Sequence, residues 1–157
     1  MAYQAAWVGQ GPGGALATMP ARPPAERHAV RHLAAEYASG RQARDFVQES
    51  LNRWGWPASS DLHEMQELQD VLLLTSELAI NAARHAHSPM DVTLHYWPGD
   101  RIRVEVHDNA DGLPQARWPA TFEESGRGLA LVELLSCAWG VTACPPGKTV
   151  WFEVRLS

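Results

Sequence analysis

Lysine is nearly missing from this chain. Lys148 is the only one, and 12 arginines bring the basic total to 13 against 18 acidic side chains, for a formal net charge of −5. A protein that holds nucleic acid or an anionic membrane through clustered positive charge is excluded by that balance. Cysteine is also scarce: Cys137 and Cys144 are the only two. A disulfide framework is therefore excluded, and both read as reduced. No apolar run approaches the roughly 18 residues that would cross a bilayer. A basic segment followed by an unbroken apolar stretch is lacking near Met1, so a secretory signal is not expected and a cytoplasmic location is. What remains is ordinary globular composition, with 45% hydrophobic and 20% charged residues over 157 positions. That length suits one domain, able to bury about 70% of its unfolded surface without a covalent or metal staple.

Residues 1–24 are rich in Gly, Pro, Ala and Gln, as in GQGPGG and ARPPA. Such a stretch has little to bury against its chain entropy, and reads as a disordered tail before a domain at 25–157. Residues 26–38 are ambiguous between helix and strand. From Ser39, a candidate N-cap, Ala43, Phe46, Val47, Leu51 and Trp54 recur at helical spacing until Gly55 and Pro57 stop the pattern. The longest expected element is a helix over 61–86. Asp61 and Glu64 make a capping-box pattern ahead of the stripe Leu68, Val71, Leu72, Thr75, Leu78, Ala79 and Ala82. The period then falls to two. Val92, Leu94 and Tyr96, the turn Pro98-Gly99-Asp100, and Ile102, Val104 and Val106 predict a hairpin. Residues 109–127 carry no period. A helix is expected from about 128 to 138, and strands at 139–144 and 149–156 flank a Pro-Pro-Gly-Lys turn. This order predicts an α+β two-layer sandwich, with helices on one face of a mostly antiparallel mixed sheet.

Three clusters could carry chemistry. On the long helix Glu77 and Asn81 share a face, with Arg84 and His85 one turn on. The pair reads either as a polar rim where the helix leaves the core or as a Mg2+-nucleotide site. In the second case Asn81 gives the metal a neutral oxygen and Glu77 handles the proton of an attacking hydroxyl. Asp108-Asn109-Ala110-Asp111-Gly112 ends a strand, where a carboxylate can accept from an exocyclic amine such as adenine N6. Ser125-Gly126-Arg127-Gly128-Leu129 enters a helix, whose free N–H groups and dipole suit phosphate. Each is an ordinary turn or helix entry when taken alone.

Their order is more specific. ELAINAARHA, then a strand ending in Asp with Gly four residues later, then GRGLALVELL and GKTVWFEV, together resemble the GHKL ATPase superfamily, which includes histidine kinases and serine kinase anti-sigma factors. The last segments are most similar to its small anti-sigma branch, abundant in actinobacteria. The resemblance spans about residues 30–157 and implies a Bergerat-type ATP-binding fold with ATP and Mg2+ as cofactors. It implies Glu77 as general base and Asn81 as Mg2+ ligand. Arg84, the N-box histidine His85, Asp108, Gly112, Gly126, Arg127, Gly128 and Leu129 would form the nucleotide site. Asp108 would read adenine, and Thr149 would be the late-strand hydroxyl supporting the adenine pocket. Residues 111–127 would be the ATP lid and 31–37 the first strand. The implied partners are a sigma factor and an anti-anti-sigma antagonist, with homodimers common, and without direct nucleic-acid or membrane contact.

Two positions depart from the family pattern: DxGxG reads DNADG, with Ala110 for the first glycine, and Glu124 stands where kinases of the branch often carry arginine. The expected function is an ATP-binding anti-sigma factor with serine protein kinase activity. The alternative is a non-catalytic nucleotide-binding module that regulates by sequestering a partner.

Overall fold

A computed structural model describes residues 5–9, 27–109 and 128–157 of the chain. The strands are β1 (Ala5–Gly9), β2 (Arg27–Leu33), β3 (Met90–Trp97), β4 (Arg101–Asp108), β5 (Ala138–Ala143) and β6 (Lys148–Arg155), and the helices are α1 (Ser39–Arg53), α2 (Leu62–Ala86) and α3 (Gly128–Leu135). They form one sheet in the order β1-β5-β6-β4-β3-β2. Every described pairing is antiparallel, so the expected admixture of parallel strands does not occur among these residues.

Alternation along β3 and β4 divides the sheet into two faces. Met90, Val92, Leu94 and Tyr96, with Ile102, Val104 and Val106, are buried under the helices, and Phe152 and Val154 continue that face into β6. Val47 and Leu51 of α1 and Val71, Leu74 and Leu78 of α2 complete the core. The helices lie side by side across the sheet: α1 over β2, α2 over β4 and β6, and α3 over β5. This is the α+β two-layer arrangement expected from the sequence.

The opposite face is polar but closely packed. Glu153 is 0% exposed and sits 3.5 Å from an Arg101 nitrogen and 3.3 Å from an Arg103 nitrogen. The Arg103 guanidinium lies 4.0 Å from the centroid of the Trp151 ring, a cation–π contact. Burial acts to raise the Glu105 carboxyl. The hydrogen bond with His95 and the nearby Arg103 charge outweigh that effect, and the net shift is downward.

Several boundaries differ from expectation. The first core strand covers 27–33 rather than 31–37, and residues 34–38 turn into α1. Ser39 is the first residue of α1, not its N-cap. Its hydroxyl accepts from the Glu36 N–H at 3.0 Å and donates to the Ala34 carbonyl at 2.8 Å, which secures the preceding turn. Asp61 does cap α2, accepting from the His63 N–H at 3.0 Å. Glu64 reaches back to the Ser59 N–H and hydroxyl instead of closing a capping box on Asp61. Ala5–Gly9, expected within a disordered tail, pairs antiparallel with β5. An exposed strand edge can recruit such a segment through main-chain groups alone. No helix among the described residues is long and apolar enough to cross a membrane.

Candidate functional site

The register of the sheet brings the separate motifs to one end. Met90, the first residue of β3, pairs with Asp108, the last of β4, and Asp108 pairs with Lys148, the first of β6. Only three residues separate the end of α2 at Ala86 from Met90, so the last turns of α2 lie at this end of the sheet. With a rise of about 1.5 Å per residue, Asn81 stands roughly 8 Å and Glu77 roughly 14 Å back along the helix. The chain passes from α3 to β5 through Ser136 and Cys137 alone, and β5 then runs toward Ala143, the partner of Lys148. A connection this short turns helix and strand back on each other. Gly128, at the N-terminus of α3, therefore lies at the same end as Asp108.

The flank of α2 that carries Glu77 and Asn81 is also defined. Successive residues rotate by about 100°. Ser76 and Ile80 turn toward α1: the Ser76 hydroxyl lies 3.5 Å from the Gly40 carbonyl oxygen, and Ile80 packs over Gly40. Leu73 and Arg84 mark the exposed line of the helix. Glu77 and Asn81 fall beyond that line, away from α1, where they border the buried Leu74 and Leu78. Both are half-buried. This flank faces the α3 side of the molecule.

At the strand ends the geometry is tighter. Asp108 is 1% exposed, and the Lys148 ammonium approaches its two oxygens at 3.1 and 3.4 Å. Lys148 is itself only 15% exposed. Gly147 makes this approach feasible. Its φ is +103°, and a Cβ there would stand 1.8 Å from the Asp108 carbonyl oxygen and 2.8 Å from the Asn109 Cα. The Cys144 N–H donates to the Gly147 carbonyl at 3.1 Å and closes the turn. Glycine is required here both for the backbone angle and for the close contact.

Asp108 and the start of α3 at Gly128 and Leu129 thus lie at the end of the sheet toward which α2 carries Asn81, with Glu77 one helical turn further back. Arg84 is exposed one turn beyond Asn81, and His85 lies in the last turn of α2. Thr149 is not brought to Asp108. It pairs with His107 on the opposite face, where its hydroxyl lies 3.1 Å from His107 Nδ1 and 3.7 Å from Cys144 Sγ. A single-residue step along a strand reverses the face, and Lys148 occupies the inward position that Thr149 was expected to fill. Gly112, Gly126, Arg127, Ala110, Glu124 and the lid at 111–127 lie outside the described residues.

The donor set suits a magnesium–nucleotide complex better than a metal caged by protein alone. Among the described residues no cluster of three or more His, Cys, Asp or Glu could hold an ion. Asn81 offers one neutral oxygen beside a carboxylate, the kind of partial set that Mg2+ completes with phosphate oxygens and water.

The fold is similar to that in the crystal structure of the RsbU and RsbW domains of Rv1364c from Mycobacterium tuberculosis, with a TM-score of 0.57 and 20% sequence identity. The match covers 82% of this chain and 32% of that one, so the chain spans about a third of the length of its structural neighbour. No curated protein matches the sequence. The family model for the histidine kinase-like ATPase domain matches residues 33–154, from the last residue of β2 to the last but one of β6. With its helix carboxylate and amide, its buried strand-end aspartate and its α3 N-terminus at one end of an antiparallel sheet, the chain belongs to the histidine kinase-like ATPase family.

Proposed function

We propose that this protein is an ATP-binding anti-sigma regulatory factor of the cytoplasm that phosphorylates a serine on an anti-anti-sigma antagonist. One observation supports the reading: the strand register and short connections set Asp108 and the N-terminus of α3 at the end of the sheet toward which α2 carries Asn81, with Glu77 one turn further back. Asp108 accepts from the adenine exocyclic amine. The free N–H groups and positive dipole end of α3 at Gly128 meet the phosphates. Asn81 would hold Mg2+, which would offset the charge of the phosphates. Glu77 takes the proton of the attacking serine hydroxyl, a role worth roughly 10²–10⁴ in rate. Phosphoryl transfer asks little else of the protein than position and charge. The resemblance of GRGLALVELL and GKTVWFEV to the anti-sigma branch supports a sigma factor and its antagonist as the partners.

The test uses ATP labelled at the γ-phosphate and an anti-anti-sigma protein. Phosphoserine should form on the antagonist, and Glu77→Gln should slow its formation at least about a hundredfold while ATP still binds. Absence of phosphoserine on every antagonist tried would refute the kinase activity. Release of the sigma factor that is unchanged in Glu77→Gln would assign regulation to sequestration alone.

A further inference from the structure

The sole lysine of the chain stands on the residue to which adenine recognition is assigned above. We propose that Lys148 reads the base together with Asp108: its ammonium, anchored on the Asp108 carboxylate, donates to purine N1 while Asp108 accepts from the neighbouring N6 amine. The inference rests on the reading of Asp108 as the adenine contact and extends it to a second, charged contact.

The stoichiometry of donors and acceptors permits this. An ammonium carries three N–H donors, and a carboxylate offers about four acceptor sites. Lys148 spends its described contacts on the two Asp108 oxygens, at 3.1 and 3.4 Å. Two of the three ammonium N–H groups account for these contacts, and the third is available to the ring. A donor beside an acceptor is also the pattern that complements 6-aminopurine, whose N6–H donor adjoins the N1 acceptor. Guanine presents the reverse, with the O6 acceptor adjoining the N1–H donor.

The backbone on both sides of Lys148 is fixed. Gly147 is pressed against the Asp108 carbonyl, and the Thr149 hydroxyl is directed to His107 and Cys144 on the other face. The side chain is 85% covered, so its charge is only weakly screened by solvent. Lys148 is therefore held in place before ligand arrives, as a residue that selects the base must be.

The experiment compares binding of ATP and 1-deaza-ATP, in which N1 is replaced by C–H, to the wild-type protein, Lys148→Met and Lys148→Arg, by calorimetry with Mg2+. A lost charge-assisted hydrogen bond should weaken 1-deaza-ATP against ATP by roughly ten- to a hundredfold in wild type. The discrimination should vanish in Lys148→Met and persist in Lys148→Arg. Equal discrimination in wild type and Lys148→Met, or tighter binding of ATP by Lys148→Met, would overturn the assignment and leave ATP binding intact. Equal affinity for the two nucleotides in wild type would overturn it without recourse to any variant. Failure of wild type to bind either nucleotide would overturn the functional reading, and this assignment with it.

Discussion

Replacing Gly147 by alanine tests the geometry that places Lys148 on Asp108. An added Cβ would stand 1.8 Å from the Asp108 carbonyl oxygen, where ordinary contact begins near 3.4 Å, so about 1.6 Å of clearance must be found. The opposing atoms are backbone at the end of β4, which is paired on both sides by β3 and β6 and has little freedom to yield. The turn must retreat and carry Lys148 with it. The φ of +103° adds strain of about 1–3 kcal/mol for a residue with a side chain, and loss of a buried ion-pair partner costs up to about 3–5 kcal/mol. Gly147→Ala should therefore lose at least about 3 kcal/mol, or roughly 6–12 °C in melting temperature for a chain of this size. Gly99→Ala is the control. Its φ is +69°, with nothing within 4 Å of the added carbon. Only the backbone strain remains there, about 1 kcal/mol and roughly 2–4 °C. Urea unfolding of both variants isolates the contact with Asp108. If Gly147→Ala unfolds within about 1 kcal/mol of Gly99→Ala, the turn is not held against the strand as described.

Two further predictions concern the sheet. Phe152 is completely buried on the helix-facing side of β6, so Phe152→Ala should cost about 3–5 kcal/mol in urea unfolding; a loss below about 1 kcal/mol would contradict its place in the core. Glu105 has its carboxyl lowered on folding, so it contributes stability above the unfolded carboxylate range near pH 4.3 and loses that contribution as pH falls through its folded value. Glu105→Gln should flatten the acid limb of the stability–pH curve below about pH 4.5, and an unchanged slope there would contradict the network with His95 and Arg103.

Most of the architecture was legible because its elements bury one face. The stripe of α2 and the alternation of β3 and β4 located those elements to within two residues, and the capping aspartate Asp61 marked the start of α2. The strand at 27–33 was misplaced for the opposite reason. Among the described residues it pairs only with β3, and six of its seven residues are exposed or half-exposed, so no burial pattern is written into its sequence. At the proposed site, Glu77, Asn81 and Asp108 were singled out as candidates from spacing and strand position, and their roles from the family resemblance. The contact of Lys148 with Asp108 was not anticipated because a lysine after Pro-Pro-Gly reads as turn polarity, and Thr149 was preferred for its hydroxyl. The signal was nevertheless present. Counting back in twos from the buried Phe152 through Val150 gives Lys148 as the next inward residue, and counting forward from Val104 through Val106 gives Asp108. The glycine contact at Gly147 depends on how two distant strand ends meet, which local sequence does not encode.

The central claim is that Asp108 and Asn81 hold opposite ends of one magnesium-bound adenine nucleotide. Calorimetric titration of ATP into wild type, Asp108→Asn and Asn81→Ala, each with Mg2+ and with a chelator, tests it most directly. Saturable one-to-one binding to wild type is predicted, weakened about tenfold or more by Asp108→Asn in both conditions and weakened by Asn81→Ala only when Mg2+ is present. Binding that neither substitution alters, or no binding to wild type, would contradict the account.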